Sequence, residues 1–385
     1  MRLRSALSIA LCLGAACAGP SSTGDHNTET PPTSPKDGPN AAVIQRALEW
    51  LKDHQDEDGR WDDDGFMRHD TEGDPCDGPG SSVHDVGVTG LALLAYLGDG
   101  NTMGSGPFAE QVQRGVEWLV GQQRDDGLIG TAVAHDFIYD HAIATYALCE
   151  AYGLSHMAAA LEAPAQKAIN YLESHRNPGA VWRYQPRDKQ NDTSVTVWCL
   201  FAYRAARDFG LQVDDQAFEH MATWLDEVTD PANGRIGYTK RGERSSRHPG
   251  DHSMRFPPQM CESLTAAGLF GRFMLGQNPR TTPVMSKSAD LLVARPPRWD
   301  PDAGTIDPYY WMMGSYALFQ MGGGSWRTWQ PLLISEVAAH QRADGNFAGS
   351  WDPIGVWDAD GGRVYATALY TLALEVAYRY ARLVR

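Results

Sequence analysis

Two kinds of helix alternate along this chain, and that alternation limits the possible folds more than any other feature of the sequence. One kind is amphipathic and runs into a glycine-containing turn. RALEWLKDHQDEDGRW spans 46–61, RGVEWLVGQQRDDGLI spans 114–129 and KAINYLESHRNPGAVW spans 167–182. A weaker fourth copy lies at 220–238. The aromatic anchors Trp50, Trp118, Tyr171 and Trp224 fall 68, 53 and 53 residues apart. A recurrence of this length marks a fold made by stacking one supersecondary unit. The other kind is apolar nearly all round, as buried helices are. Six such stretches occur, at 85–98, 140–153, 192–206, 261–276, 309–323 and 362–380. Three open with Asp, which satisfies the orphan amides of a first turn, and several stop at Gly.

Amphipathic helices precede these at about 40–55, 107–123, 159–175, 214–228, 282–294 and 329–342. Twelve helices over about 345 residues leave roughly 29 residues for each helix and its connection, a comfortable size. The alternation suits a closed ring, with buried helices as an inner wall and amphipathic helices covering it. The predicted fold is all-α, a single (α/α)6 toroid of six helical hairpins over residues 40–385, rather than several domains.

The turn residues carry a resemblance. Arg46, Ala47, Trp50, Leu51, Gln55, Asp58, Gly59 and Trp61 stand at every specified position of the QW repeat of squalene and oxidosqualene cyclases. Residues 114–127 follow the same repeat, with Ile129 in place of its final aromatic. The chain therefore resembles the terpenoid cyclase and protein prenyltransferase toroids, a superfamily that also holds the thioester domains of complement. It looks most similar to bacterial envelope-type proteins whose last inner helix reads like GRVYATAL here. The resemblance implies a turn brace in which Gln caps a helix end and Trp packs over the turn. A brace of this kind specifies a fold and not a reaction.

Each chemistry that the superfamily implies meets a missing residue. Alkene protonation needs a D-x-D-D run that keeps one carboxylic acid neutral. The nearest runs are Asp56-Glu57-Asp58, Asp62-Asp63-Asp64, Asp300-Pro301-Asp302 and Asp358-Ala359-Asp360. Diphosphate ionisation needs D-D-x-x-D to hold magnesium, and Phe66 stands where the last Asp would follow Asp62-Asp63. The 62–64 run reads as a solvated acidic loop. Zinc-dependent prenyl transfer needs Asp-x-Cys, and the corresponding place holds Gln259-Met260-Cys261. A thioester needs Cys-Gly-Glu-Gln, whereas Cys261-Glu262-Ser263 follows here. No motif requires a cofactor, and no metal set is assigned. There is no G-x-S-x-G elbow for Ser-His-Asp hydrolysis either.

What remains is a rim. If the inner helices all run the same way, their N-termini share one face of the ring. That places His84, Asp85, His135, Asp136, Asp140, His141, Asp192, His252, Cys261, Asp307 and Tyr310 on or near one mouth. The candidate site residues are His84, Asp85, Asp140, His141, Asp192, Cys261 and Tyr310, because His, Asp and Cys groups transfer protons or bind metal and helix N-termini attract anions. The competing reading makes the Asp residues N-caps and the His residues structural. Trp198, Tyr310, Trp311 and Tyr365 belong to inner helices and are the aromatics available to face a central cavity.

The N-terminus speaks to location. Residues 1–17 join Arg2 and Arg4 to a short apolar run ending Gly14-Ala15-Ala16-Cys17, the pattern of a secretory leader with Cys17 as a lipidation site. Cleavage after Ala18 is the alternative. Residues 18–39 are rich in Pro, Ser, Thr and Gly and read as a disordered tether. The expected location is the bacterial cell envelope or periplasm, with a lipid anchor as the only membrane link. Export also bears on Cys76, Cys149, Cys199 and Cys261, which permit three disulfide connectivities. Their apolar contexts favour buried thiols for Cys149 and Cys199. The formal charge of −15 speaks against nucleic acid, which needs a basic surface. The expectation is a binding or scaffold module for an apolar, peptide or glycan ligand. The alternative is a cyclase, transferase or polysaccharide-acting enzyme that uses the rim Asp and His groups.

Overall fold

Six helices whose sequences carry no polar stripe lie side by side in a closed ring. The computed structural model describes residues 40–71, 73–379 and 383, so the expected leader, tether and Cys17 lie outside the described residues. The helices are α1 (Ala41–Asp53), α2 (Asp85–Gly98), α3 (Ala109–Gly121), α4 (Phe137–Leu154), α5 (Ala159–His175), α6 (Thr193–Asp208), α7 (Asp215–Val228), the short α8 (Asp251–Arg255), α9 (Ser263–Met274), α10 (Val284–Val293), α11 (Pro308–Met321), α12 (Gly323–Ala339) and α13 (Asp358–Arg379). Helix α13 kinks at Gly362. No strand occurs among the described residues. The inner wall runs α2, α4, α6, α9, α11, α13 and back to α2. The outer helices α1, α3, α5, α7, α10 and α12 each pack over neighbouring inner helices. The chain forms the expected all-α (α/α)6 toroid, and no helix among the described residues is long and apolar enough to cross a membrane.

The turn brace works differently from the expectation. Trp caps the helix and Gln stitches the ring. The indole N–H of Trp61 donates to Leu51 O at 2.7 Å, that of Trp182 to Leu172 O at 2.7 Å and that of Trp351 to Val337 O at 2.7 Å. Each acceptor sits in the last turn of an outer helix, where carbonyls lack intrahelical partners. The Gln55 amide instead donates to Gly59 O at 2.8 Å in its own turn and to Gln111 O at 3.0 Å on α3. Gln123 reaches Pro164 O on α5 at 2.9 Å. Gln341 reaches Val43 O on α1 at 2.9 Å, which closes the ring. The turn glycine is required by this approach. Gly59 has φ +103°, and a Cβ there would lie 2.3 Å from Arg114 O. Gly349 meets Arg46 O in the same way at the closing seam.

All four described cysteines, Cys76, Cys149, Cys199 and Cys261, are buried free thiols, so none of the three permitted connectivities is formed. The Asp62-Asp63-Asp64 run is solvated only at Asp64. Asp62 and Asp63 are buried, Asp62 against Arg60 and Arg68, and Asp63 accepting from Ser81 N at 3.0 Å. Burial pushes the Asp63 carboxyl well above the usual carboxylate range.

Candidate functional site

The first turns of all six inner helices surround one cavity of about 330 Å³. Its contributors include His84 and Val88 beside α2, Asp140 on α4, Trp198 on α6, Leu264 on α9, Tyr309 on α11 and Tyr365 on α13. The loops that lead into the inner helices add Tyr184, Tyr238, Arg247, His248 and Trp357. Tyr and Trp rings thus supply seven of the lining residues, with aliphatic, hydroxyl and charged groups set among them.

Three His–Asp pairs line this space: His135–Asp136 and His248–Asp360, each at 3.7 Å, and the more closely paired His84–Asp140. His84 Nδ1 lies 3.1 Å from Asp140 Oδ2 and 3.3 Å from Oδ1. The hydrogen bond to Asp140 raises the His84 imidazole to about 9, against the opposing effect of burial. Asp140 itself is pushed up by burial and held down by His84. Burial is the larger influence on Asp140, and the His84 imidazole offsets part of it. A further polar group lies behind a layer of tyrosines. Asp192 caps α6 by accepting from Val195 N at 2.8 Å, and burial pushes it up to about 7. Tyr238 approaches it at 3.5 Å and hydrogen-bonds Tyr184 at 2.5 Å, while Tyr139 pairs closely with Ser194. The buried Tyr309 hydroxyl, also on the cavity wall, makes no hydrogen bond within the described protein.

Of the candidate residues, His84 and Asp140 line the cavity, and the others are held elsewhere. Asp85 accepts from Asp63 N at 3.0 Å and from Arg60 at 3.2 Å, which ties the first turn to α2; burial raises it to about 6. His141 is fully buried. Its Nδ1 accepts from Ile129 N at 3.1 Å and its Nε2 faces Ala168 O at 3.2 Å. Burial lowers it to about 3, so it is a neutral strut. It does the work of Thr89, Thr196 and Thr265, whose hydroxyls accept from the amides of Trp61, Trp182 and Ile236 in the other hairpins.

Cys261 sits behind the wall, 2.6 Å from Arg247 Nη2 and 3.1 Å from Ser263 Oγ. Burial and Asp307 push its thiol up to about 11, so it is not an activated nucleophile. Tyr310 points outward and donates to Arg295 O at 2.9 Å. Trp311 packs on Trp299 and Tyr370. Asp307 caps α11, and His252 binds Val356 O at 2.7 Å. Of the four inner-helix aromatics, Trp198 and Tyr365 face the cavity. Sequence reasoning passed over Tyr184, Tyr238, Arg247, His248 and Trp357, because long loops bring them to the rim with no periodic signal.

Residues 34–134 match the squalene-hopene cyclase C-terminal domain family. Solved structures extend the likeness around the ring. The type II terpene cyclase MstE from Scytonema, solved with geranylgeranyl dihydroxybenzoate, is 14% identical, with a TM-score of 0.54 over 88% of this chain and 97% of that one. An α-1,6-mannanase of Salegentibacter, solved with α-1,6-mannotriose, is 10% identical, with a TM-score of 0.58 over 87% and 98%. Cellobiose 2-epimerase from Bacillus thermoamylovorans is 14% identical, with a TM-score of 0.56 over 87% and 99%. No curated protein matches the sequence. The fold and its turn braces define a terpenoid cyclase-like α/α toroid. This chain shares the ring and carries a His84–Asp140 pair in its mouth.

Proposed function

We propose that this protein binds a small ligand with an apolar body and a few polar groups in the N-terminal mouth of its ring. The observation that carries this reading is the aromatic-walled cavity itself. At about 330 Å³ it falls at the lower end of the ligand-pocket range of roughly 300–1,000 Å³. Its charged groups are already matched. His84 and Asp140 hydrogen-bond one another, which leaves capacity for orienting a ligand without demanding a charged one. Tyr309 adds a hydroxyl with no internal partner. The structural likenesses include one protein solved with geranylgeranyl dihydroxybenzoate and one solved with α-1,6-mannotriose. Both ligand kinds suit an aromatic wall with sparse polar groups.

A second reading rests on a separate observation. Asp192 titrates near neutrality behind Tyr238, which itself lines the cavity. Such an arrangement passes a proton between a buried acid and a bound molecule, and it supports acid–base chemistry on a glycan or terpenoid. Export and lipid anchoring belong to the same proposal, supported by the leader and Cys17. Loss of lipid labelling in Cys17→Ala tests the anchor; labelling that persists excludes it.

Native mass spectrometry of the exported chain, compared with its denatured mass, tests the binding reading. The expected result is an added mass that disappears in His84→Asn. A mass equal to the bare polypeptide, together with no thermal shift across sugar and isoprenoid panels, overturns it.

A further inference from the structure

A second cluster of ligating side chains lies away from the mouth, at the seam where the ring closes. His54 follows the last turn of α1, Asp70 ends a short 3-10 turn and Cys76 lies in the loop beyond. One donor atom of each falls within 4.8 Å of the other two. His54 and Cys76 are 4% and 5% exposed, so this is a built interior site and not a surface coincidence. We propose that His54, Asp70 and Cys76 bind a zinc ion that pins the closing seam.

The orientation of each ligand supports the assignment. His54 Nδ1 faces Trp50 O at 2.7 Å, and a carbonyl can only accept, so Nδ1 carries the proton. That leaves Nε2 directed at Asp70 Oδ1, 3.1 Å away. A metal-binding histidine is oriented in this way, with its other nitrogen donating to a backbone carbonyl. The ring is clamped by Trp50, stacked at 4.1 Å, and by the edge of Phe66 at 5.9 Å. Asp70 Oδ2 is fixed by Cys76 N at 2.6 Å, which leaves Oδ1 for the ion.

The chemistry selects the metal. Ligand atoms of a tetrahedral zinc stand roughly 3–4 Å apart, given bonds of about 2.0–2.3 Å. The Nε2–Oδ1 distance of 3.1 Å is already within that range. One nitrogen, one oxygen and one sulfur suit zinc and not magnesium or calcium, which take oxygen shells. A thiolate, a carboxylate and a neutral imidazole cancel the charge of the ion, so the complex is neutral where burial penalises net charge. On binding, the Cys76 S–H bond breaks, the sulfur lone pair forms the S–Zn bond and the proton leaves to solvent. Affinity therefore rises with pH. The fourth position falls to water.

The site's place in the fold gives the ion its task. Asn346, in the turn after α12, accepts from Thr71 N at 2.9 Å and donates to Asp74 O at 3.0 Å. Trp50 donates to Asn346 O at 2.9 Å, and Arg363 on α13 donates to Asp77 O at 2.9 Å. The loop that carries Asp70 and Cys76 is thus laid across the junction between the first and last hairpins. A metal joining it to the end of α1 ties that junction shut.

The test uses the full chain, stripped with chelator and titrated with Zn2+ alone and with Co2+ alone. The expected results are equimolar zinc, a higher melting temperature and a thiolate-to-cobalt charge-transfer band. That band disappears in Cys76→Ala and persists in Cys149→Ala. His54→Gln and Asp70→Asn each weaken zinc at least about 100-fold. A folded wild-type chain with no such band overturns the proposal, as does a band that survives Cys76→Ala. Should Cys76→Ala fail to fold, the wild-type and His54→Gln spectra decide the matter.

Discussion

At the mouth formed by inner-helix N-termini the lumen stays open, whereas toward the inner-helix C-termini the same six helices fill it. The connections explain the contrast. Those that lead into the cavity mouth are long, covering 54–84, 122–136, 176–192, 229–262, 294–307 and 340–357. Those at the other end are short, covering 99–108, 155–158, 209–214, 275–283 and the single residue Gly322. Long loops stand around the mouth and contribute Tyr184, Tyr238, Arg247 and Trp357 as walls. At the other end side chains meet across the axis. Trp198, Phe201, Tyr146 and Tyr316 leave a space of only about 10 Å³, room for no more than about one water. Arg379 closes that end, donating to Leu94 O at 2.5 Å and pairing with Glu150 at 3.3 Å. One helix set therefore supplies both a rigid plug and a binding mouth, and loop length decides which is which.

Trp198 lines both spaces and is the partition between them. Trp198→Ala is expected to cost about 3–5 kcal/mol of stability. It should also admit larger ligands at the mouth, which denaturant unfolding and ligand-size profiling together check. A smaller effect separates strut from site. His141→Asn leaves the Ile129 amide or the Ala168 carbonyl poorly matched and should cost about 1–3 kcal/mol while ligand uptake persists. His84→Asn leaves the buried Asp140 without its imidazole partner and should also cost about 1–3 kcal/mol, but unlike His141→Asn it should abolish uptake. The reverse pattern would move the site away from the mouth.

A further expected effect is on pH dependence. His84, Asp192 and Asp358 all have folded values above their ordinary ones, at about 9, 7 and 7. Each binds its proton more tightly in the folded chain, so each adds stability at low pH that is lost as pH rises through those values. For the two carboxyls the loss is centred between about pH 4 and 7, and for His84 between about 6.5 and 9. Stability measured by denaturant titration should therefore fall from pH 5 to pH 9. Asp192→Asn keeps a good N-cap and should flatten the lower part of that fall. An unchanged slope would show that Asp192 does not titrate there.

The ring was legible because burial writes itself along the sequence. A helix covered on all sides has no polar stripe, and the QW turn repeats because each outer helix must meet the next. The mouth was only partly legible. His84 and Asp140 stood out at helix starts, but so did Asp85 and His141, and the four differ only in what the next hairpin presents to them. His141 occupies the position held by Thr in the other hairpins, which becomes visible once Ile129 is seen to need an acceptor. Tyr184, Tyr238 and Trp357 lie in loops, where no period reveals which way a side chain points. Gln341, the third of the stitching glutamines, belongs to a copy of the turn too degenerate to notice without its partner on α1.

That last stitch joins residues 298 positions apart. A solenoid can nucleate anywhere and tolerate the loss of an end repeat. A ring cannot, because removing one hairpin strips the apolar flanks of two others at once. The final closure is also among the most distant in sequence, the kind of contact that slows folding. The chain should consequently unfold as one cooperative unit, and a nick within any hairpin should be felt on the opposite side of the ring.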